Sequence, residues 1–379
     1  MKIQKSSRKF VVYWNNIPTP YMVERFNALA DRGAFEFEAW FNDRIYSSRS
    51  WAVDESSWRF KYRYLPTTRV GTRTLHWLLP MLGRRPDMIV SLYAEPVFIL
   101  GWLVAKIRGI ASGFWVEVTF DRWVKRSRLK EAIKRWLFPR MDVIVTVGDD
   151  GRDFSIKYGA KPENIYFAPH VIDVAHFQTN STIAVEERLR LRHELGVHGV
   201  TFIYVGRLWW GKGINDLIDA FERVQRELKG EASLLVVGDG PEESNLKRLC
   251  AERNISNVVF AGFRQKSELP HLYAASDVFV FPTLGDPYGL VVDEAMACSL
   301  PVISTSSAGE IRDRVEEGVN GFIVPPENSA ALAQRMVILA GDADLRQRMG
   351  EQSVAKIQGH TPDRWAGDFE RIVGARLSK

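Results

Sequence analysis

Short apolar runs recur along the chain at near-regular intervals. They fall at residues 10–14, 36–41, 87–91, 113–117, 142–147 and 164–168, and again at 202–205, 234–237, 258–263, 278–281, 301–305 and 321–326. Dominated by β-branched and aromatic residues, they predict strands buried on both faces of a parallel sheet. Stretches with apolar residues at helical spacing lie between them, at 22–32, 72–82, 96–108, 151–158, 214–228, 242–253 and 269–275. Strand and helix alternating in this way predict an α/β fold with helices on both faces of each sheet. Two stretches fall outside the rhythm. Residues 47–64, rich in Trp, Arg, Tyr and Ser, predict an irregular excursion, and 170–182 predict a linker between two α/β series.

At 379 residues the chain exceeds one ordinary core. The break predicts domains at 1–178 and 179–358, and a closing helix is expected within 359–379. An apolar fraction of 46% and a charged fraction of 26% are globular values and exclude a disordered chain. Cys250 and Cys298 are the only cysteines, both in expected helices, so no structural disulfide is expected and the cytoplasm is the expected compartment. The longest apolar stretch, 97–105, is too short to span a bilayer, and the apolar run after the basic residues 1–9 is too short for a signal peptide. A net charge of +5 suits anionic substrates or an anionic surface, and no nucleic-acid partner is expected.

Candidate chemistry concentrates after the run at 278–281. Pro282, Gly285, Pro287 and Gly289 break regular structure, and a helix resumes after Tyr288. In open α/β sheets, ligands bind beyond the carboxyl ends of the strands, where this loop falls. The N–H groups of Tyr288, Gly289 and Leu290 are expected to lie unpaired at a helix N-terminus, a seat for an anion. Asp286 precedes that seat and Glu294 follows about two helical turns on, on nearly the same face. Carboxylates repel phosphate, so their expected partners are hydroxyls, and a ligand with both groups suggests a nucleotide sugar. A second turn, Gly206-Arg207-Leu208-Trp209-Trp210-Gly211-Lys212-Gly213, follows the run at 202–205. Its glycines leave room for a phosphate, and Arg207 and Lys212 add two cations. Neither the Walker nor the dinucleotide spacing is present.

Taken in order, six segments resemble the GT-B retaining glycosyltransferases of family 4. They are Gly206-Arg207-Leu208 with Lys212-Gly213, Gly238-Asp239-Gly240-Pro241, Ala275-Ser276-Asp277-Val278, Asp286-Pro287-Tyr288-Gly289-Leu290 through Glu294-Ala295-Met296-Ala297, Pro301-Val302-Ile303 and Gly318-Val319-Asn320-Gly321-Phe322. The dense match runs over residues 200–330, and the first half shares only the α/β rhythm. The resemblance implies two Rossmann-like domains facing each other across a cleft, the second binding a UDP- or GDP-sugar, with the C-terminal helix of 359–379 crossing back to the first domain. It implies that Arg207 and Lys212 beside Gly206 hold the diphosphate, that Asp286 meets the sugar hydroxyls and Glu294 the ribose. Amides around Gly289 and Leu290 would also face the donor. Transfer with retained configuration, without metal or cofactor, to a glycan or lipid-linked acceptor in cell-surface polysaccharide, lipopolysaccharide or glycolipid synthesis is the implied activity. Three departures stand out. Asp286 replaces the family's usual Glu, Ser307-Ala308-Gly309-Glu310 replaces a double-glycine turn before Pro-Glu, and Asn15-Asn16-Ile17-Pro18-Thr19-Pro20 replaces a glycine-rich loop.

Several positions keep two readings. Glu117, at the end of a strand, either faces the cleft as a catalytic group or pairs with Arg122 at the rim. Residues 122–141 set Lys125, Arg126, Arg128 and other cations beside Ile133, Trp136 and Leu137. That is either an ordinary amphipathic helix packed into its domain or a helix lying on anionic lipid at the inner face of the membrane. His76, His170 and His271 have no partner at metal-ligand spacing and read as structural. The alternative activity is a non-catalytic sugar-nucleotide-binding partner of another transferase, a reading that Asp286 favours.

Overall fold

The computed structural model describes residues 8–44, 54–70, 73–92, 95–117 and 127–378. They divide into two compact units, one holding residues up to Glu117 with 127–171 and 361–378, the other 172–360.

In the first unit, β1 (Phe10–Asn15), α1 (Pro20–Arg32), β2 (Glu36–Phe41) and β3 (Lys61–Tyr64) precede a hairpin of β4 (Thr67–Val70) and β5 (Arg73–His76). Then come β6 (Met88–Leu92), α2 (Pro96–Ile107), β7 (Ala111–Val116), α3 (Arg128–Leu137), β8 (Val143–Thr146), α4 (Asp149–Lys157) and β9 (Ile165–Phe167). Seven strands form one parallel sheet in the order β3-β2-β1-β6-β7-β8-β9. β1 is buried along its whole length, as its apolar run predicts. Thr19 caps α1 by accepting from the Met22 N–H, and Pro20 fits the first turn because its missing N–H would have no partner there. α2 lies so close to the sheet at Gly101 that any Cβ there would collide with the buried Trp14 ring.

Three expectations need correction. Residues 47–64 are not wholly irregular, because β3 pairs with β2 from Glu38 opposite Lys61 to Phe41 opposite Tyr64; residues 45–53 lie outside the described residues. The helix expected at 72–82 is β5 followed by a short 3-10 turn, Leu79–Leu82, with residues 71–72 outside the described set. Antiparallel pairing of Arg73–His76 with Thr67–Val70 satisfies the backbone there and overrides the helical spacing of the apolar residues. The stretch 170–182 holds a helix, capped by the Asp173 carboxylate accepting from the His176 N–H at 3.0 Å.

The second unit opens with that helix, α5 (Val174–Ser181), and α6 (Val185–Leu195). β10 (Val200–Val205), α7 (Ile214–Glu227), β11 (Ala232–Val237), α8 (Glu243–Glu252), β12 (Val258–Gly262) and α9 (Leu269–Ala274) follow. β13 (Val278–Phe281), α10 (Leu290–Ala297), β14 (Val302–Thr305), α11 (Ile311–Arg314), β15 (Gly321–Val324), α12 (Ser329–Gly341) and α13 (Ala343–Ile357) complete it. Its parallel sheet runs β12-β11-β10-β13-β14-β15, the doubly wound order in which direction reverses between β10 and β13. Phe202, Tyr204, Leu234, Val236, Val278 and Val280 join α7 and α12 in one core. The closing helix α14 (Pro362–Leu377) belongs to the first unit, where Trp365 and Phe369 stack and reach Tyr13 of β1.

Two glycine substitutions separate packing from propensity. Gly101→Ala should destabilise by about 1–3 kcal/mol through overpacking. Gly374→Ala, at an open position of α14, should stabilise by about 0.5–1 kcal/mol because glycine loses more backbone freedom in a helix. Urea denaturation of both variants checks the opposite signs.

Candidate active site

The reversal between β10 and β13 brings two loops together at the carboxyl edge of the second sheet. After β10 the chain turns through Gly206 to Gly213, and after β13 through Pro282 to Gly289. Leu284 N–H donates to the Gly211 carbonyl at 3.0 Å, and the Thr283 hydroxyl reaches the same oxygen at 3.3 Å. Gly213 has φ +66°, and a Cβ there would strike the Pro282 carbonyl, so only glycine lets the loops approach this closely. The Leu208 N–H bonds the Asp239 carbonyl at 2.7 Å, tying in the turn after β11.

These contacts collect most of the expected donor residues. Lys212 Nζ and the Asp286 carboxylate form an ion pair, with both side chains largely buried. Arg207 is exposed, and its side chain makes no ion pair among the described residues. The Tyr204 hydroxyl donates to the Arg207 carbonyl at 2.9 Å and fixes the backbone beneath it. Gly289, with φ +75°, starts α10.

One expectation about the amides is corrected. The Tyr288 N–H is not free, because it donates to Asp286 Oδ1 at 2.9 Å. Asp286 therefore shapes its own loop as well as meeting Lys212. The N-terminal end of α10 still carries the partial positive charge of a helix start. Glu294, one turn into α10, is buried and accepts from the Tyr273 hydroxyl at 2.9 Å. Glu310 is buried in a left-handed conformation at φ +53°, a strained state for a non-glycine residue.

Sequence reasoning missed the residue that fastens this loop. Arg314 is buried with its guanidinium 3.9 Å from the Tyr288 ring centroid. It pairs with Asp293 at 2.9 Å, with side-chain exposures of 2% and 0%. It also donates to the carbonyls of Gly289 at 3.1 Å, Gly309 at 3.0 Å and Tyr288. Burial, followed by the Asp293 charge, pushes the Tyr288 phenol well above its ordinary range.

Glu117 belongs to the first unit, just beyond β7. Arg122, its suggested partner, lies outside the described residues. Glu117 Oε1 instead accepts from the Trp115 indole at 2.8 Å and meets His170 Nε2 at 2.9 Å. Arg25 Nη1 lies 3.1 Å from His170 Nδ1, and a guanidinium only donates. Nδ1 therefore accepts, and the imidazole donates from Nε2 to Glu117. Burial opposes ionisation of Glu117, but His170, Trp115 and Arg25 outweigh it and hold the carboxyl below its usual range. At the β1/β6 reversal of the first sheet, a second missed group appears: Asn16 Nδ2 donates to Glu95 Oε1 at 2.8 Å. Burial raises the Glu95 carboxyl above its usual range.

Arg314→Met should cost about 3–5 kcal/mol in urea denaturation, because it leaves Asp293 buried without its partner. The lowered Glu117 should contribute stability that is fully present above an ordinary Glu pKa and is lost as pH falls through the lower folded value. The stability gap between the native chain and Glu117→Gln should therefore be flat at neutral pH and close in acid, which denaturation at a series of pH values would reveal.

Comparison with known proteins shows what this part of the chain is similar to. Residues 186–355 match the model described as glycosyl transferases group 1. An uncharacterized glycosyltransferase of Methanocaldococcus jannaschii is 35% identical over 151 residues, 39% of this chain and 38% of its own length. The D-inositol 3-phosphate glycosyltransferase of Corynebacterium kroppenstedtii is 29% identical over 245 residues, 62% of this chain and 53% of its own. The matches thus span well under two thirds of those two proteins. Anabaena HepE in complex with UDP superposes with a TM-score of 0.79 at 18% identity, covering 97% of this chain and 100% of that one. The likeness shows a shared fold, the GT-B type built from two Rossmann-like units. The sequence likeness to the glycosyl transferases group 1 model lies within the second unit.

Proposed function

We propose that the chain transfers a sugar from a UDP- or GDP-sugar to a glycan or lipid-linked acceptor, with retained anomeric configuration and without a metal. The observation that carries this reading is the meeting of Arg207, Lys212, Asp286 and the start of α10 at the reversal point of the second sheet. Anabaena HepE, of the same fold, has been captured with UDP and with UDP-glucose, which favours a UDP-sugar here.

In this reading Arg207, Lys212 and the amides near Gly289 and Leu290 hold the diphosphate beside Gly206 and Tyr288. As the glycosidic bond breaks, negative charge grows on the leaving diphosphate, and fixed cations and a helix start stabilise it more than they stabilise the ground state. Donor binding would draw Lys212 from Asp286 toward phosphate and release the carboxylate for sugar hydroxyls. Glu294, held at one oxygen by Tyr273, grips the ribose. Glu117, fixed through His170 and Arg25, serves as the first unit's carboxylate facing transferred sugar or acceptor. The setting is cell-surface polysaccharide or glycolipid synthesis at the cytoplasmic face of a membrane. No described helix is long and apolar enough to cross one.

Arg207→Ala should lower the transfer rate on the order of 100-fold or more, the scale of losing one transition-state charge donor. Glu294→Ala should weaken binding of UDP-glucose, read by calorimetry. Slow hydrolysis of UDP-glucose by the native chain would distinguish an enzyme from a binding partner. Unchanged rate and donor affinity in both variants would move the donor site elsewhere.

A further inference from the structure

A cavity of about 430 Å³ lies in the first unit against one face of β1, β2 and β3, within the usual size of small-molecule pockets. Glu36, Glu38 and Trp40 alternate along β2 and so share that face. Phe10 of β1 pairs in register with Glu36, and Lys61 and Arg63 of β3 pair with Glu38 and Trp40. Arg84, from the chain after β5, lines the cavity as well. Phe10, Glu36 and Lys61 begin their strands, at the edge opposite to the one where Asn16 stands. None of the lining residues is among those proposed to hold the donor.

The charges around this cavity cancel in pairs. Glu36 accepts from Arg84 at 2.7 Å and from Lys61 at 3.2 Å, and Arg63 Nε donates to Glu38 Oε1. Each guanidinium also lies over a ring, Arg84 at 4.5 Å from the Phe10 centroid and Arg63 at 5.5 Å from that of Trp40. Carboxylate and ring together fix the guanidinium plane of Arg63, whose Nη groups donate to no described residue.

Two buried polar atoms are left over. The Glu38 side chain is 9% exposed, yet its Oε2 accepts from no described residue. Trp40 is 1% exposed, and its Nε1 has no hydrogen-bond partner among the described residues. Leaving buried polar groups unpaired destabilises a fold, so packing gives no reason to gather these atoms around one cavity. A hydroxyl group suits them, because it donates its hydrogen to a carboxylate while its oxygen accepts from N–H groups. An anion suits them poorly, because Glu38 repels it.

We propose that this cavity is a second sugar site, separate from the transfer chemistry, which takes an uncharged ring bearing several hydroxyls. Glu38 Oε2 accepts from the sugar, and Trp40 Nε1 and the Arg63 Nη groups donate to it. The site goes beyond the proposed transfer by giving the first unit a hold on a glycan apart from the edge of Asn16 and Glu95.

The test is saturation-transfer difference NMR of the full chain with the methyl glycosides of glucose, galactose and mannose, in excess UDP. At least one glycoside should bind the native chain. Glu38→Met, which removes both acceptor oxygens, should weaken that binding about 10-fold or more, the scale of one charge-assisted hydrogen bond. Arg63→Met should weaken it by a similar factor, whereas Glu38→Gln, which keeps one acceptor oxygen, should lose less than Glu38→Met. Arg63 is exposed, so its variant keeps the test open should Glu38→Met fail to fold by circular dichroism. Calorimetric binding of UDP-glucose should be unchanged in these variants and weakened only in Glu294→Ala, so failure of the donor reading and failure of this one are told apart. No glycoside binding by the native chain, or binding that Glu38→Met and Arg63→Met leave unchanged, overturns the inference. So does binding of inorganic phosphate that Arg63→Met abolishes and Glu38→Met strengthens, because the cavity would then be an anion site.

Discussion

The buried pair between Arg314 and Asp293 is the interaction on which the second unit's site depends. Taking either charge out of water alone would cost several kcal/mol, so each residue is tolerable only because the other is 2.9 Å away. The remaining guanidinium donors are spent on backbone carbonyls of two separate segments, Tyr288 with Gly289 and Gly309. Those segments are also joined by the Gly309 N–H to the Asp286 carbonyl at 2.8 Å. One side chain therefore fixes the loop that carries Asp286 and the start of α10. The same hub draws loop carbonyls toward the interior, which suits a loop whose other side is proposed to receive an anion.

The fold was legible where burial leaves a one-sided signature. β10, β11 and β13 are apolar along their lengths because both faces of the second sheet are covered, and their position was plain from composition. β3 escaped notice for the converse reason. It is an edge strand reading Lys-Tyr-Arg-Tyr, exposed for most of its length, and its charges answer Glu36 and Glu38 on the next strand. α5 was hidden because its cap, Asp173, works through a single side-chain bond while its sequence has little periodicity. α14 carries cap, first turn and buried face in order at Thr361, Pro362 and the aromatic pair Trp365 and Phe369.

The candidate site was legible in part as a set of positions. Arg207, Lys212, Asp286 and Glu294 stand at turns and helix starts, where glycine and proline mark the chain's geometry. Their mutual contacts were not legible, and the Tyr288 amide taken by Asp286 shows why: a side chain can satisfy a loop donor that spacing alone leaves open. Arg314 was invisible because it sits in the charged run Arg312-Asp313-Arg314, which in one dimension reads as a solvated face. Only the packing of α11 against α10 distinguishes it from Arg312, which is exposed. Glu117 shows the same limit, since its partners, Trp115, His170 and Arg25, come from three parts of the chain.

The two sheets reverse direction in the same way and furnish the two reversals with different chemistry. Between β10 and β13 stand Arg207, Lys212 and a helix start, all suited to negative charge. Between β1 and β6 stand Asn16 and Glu95, with Asn42 held nearby by its bond to the Trp14 indole at 2.8 Å. A carboxylate there would repel phosphate, whereas the amides of Asn16 and Asn42 beside it can both donate and accept. Hydroxyl groups need that dual capacity. The same topology thus presents an edge suited to phosphate in one unit and an edge suited to hydroxyl groups in the other, the division of chemistry that the proposed transfer from a sugar nucleotide to a hydroxyl-bearing acceptor would use.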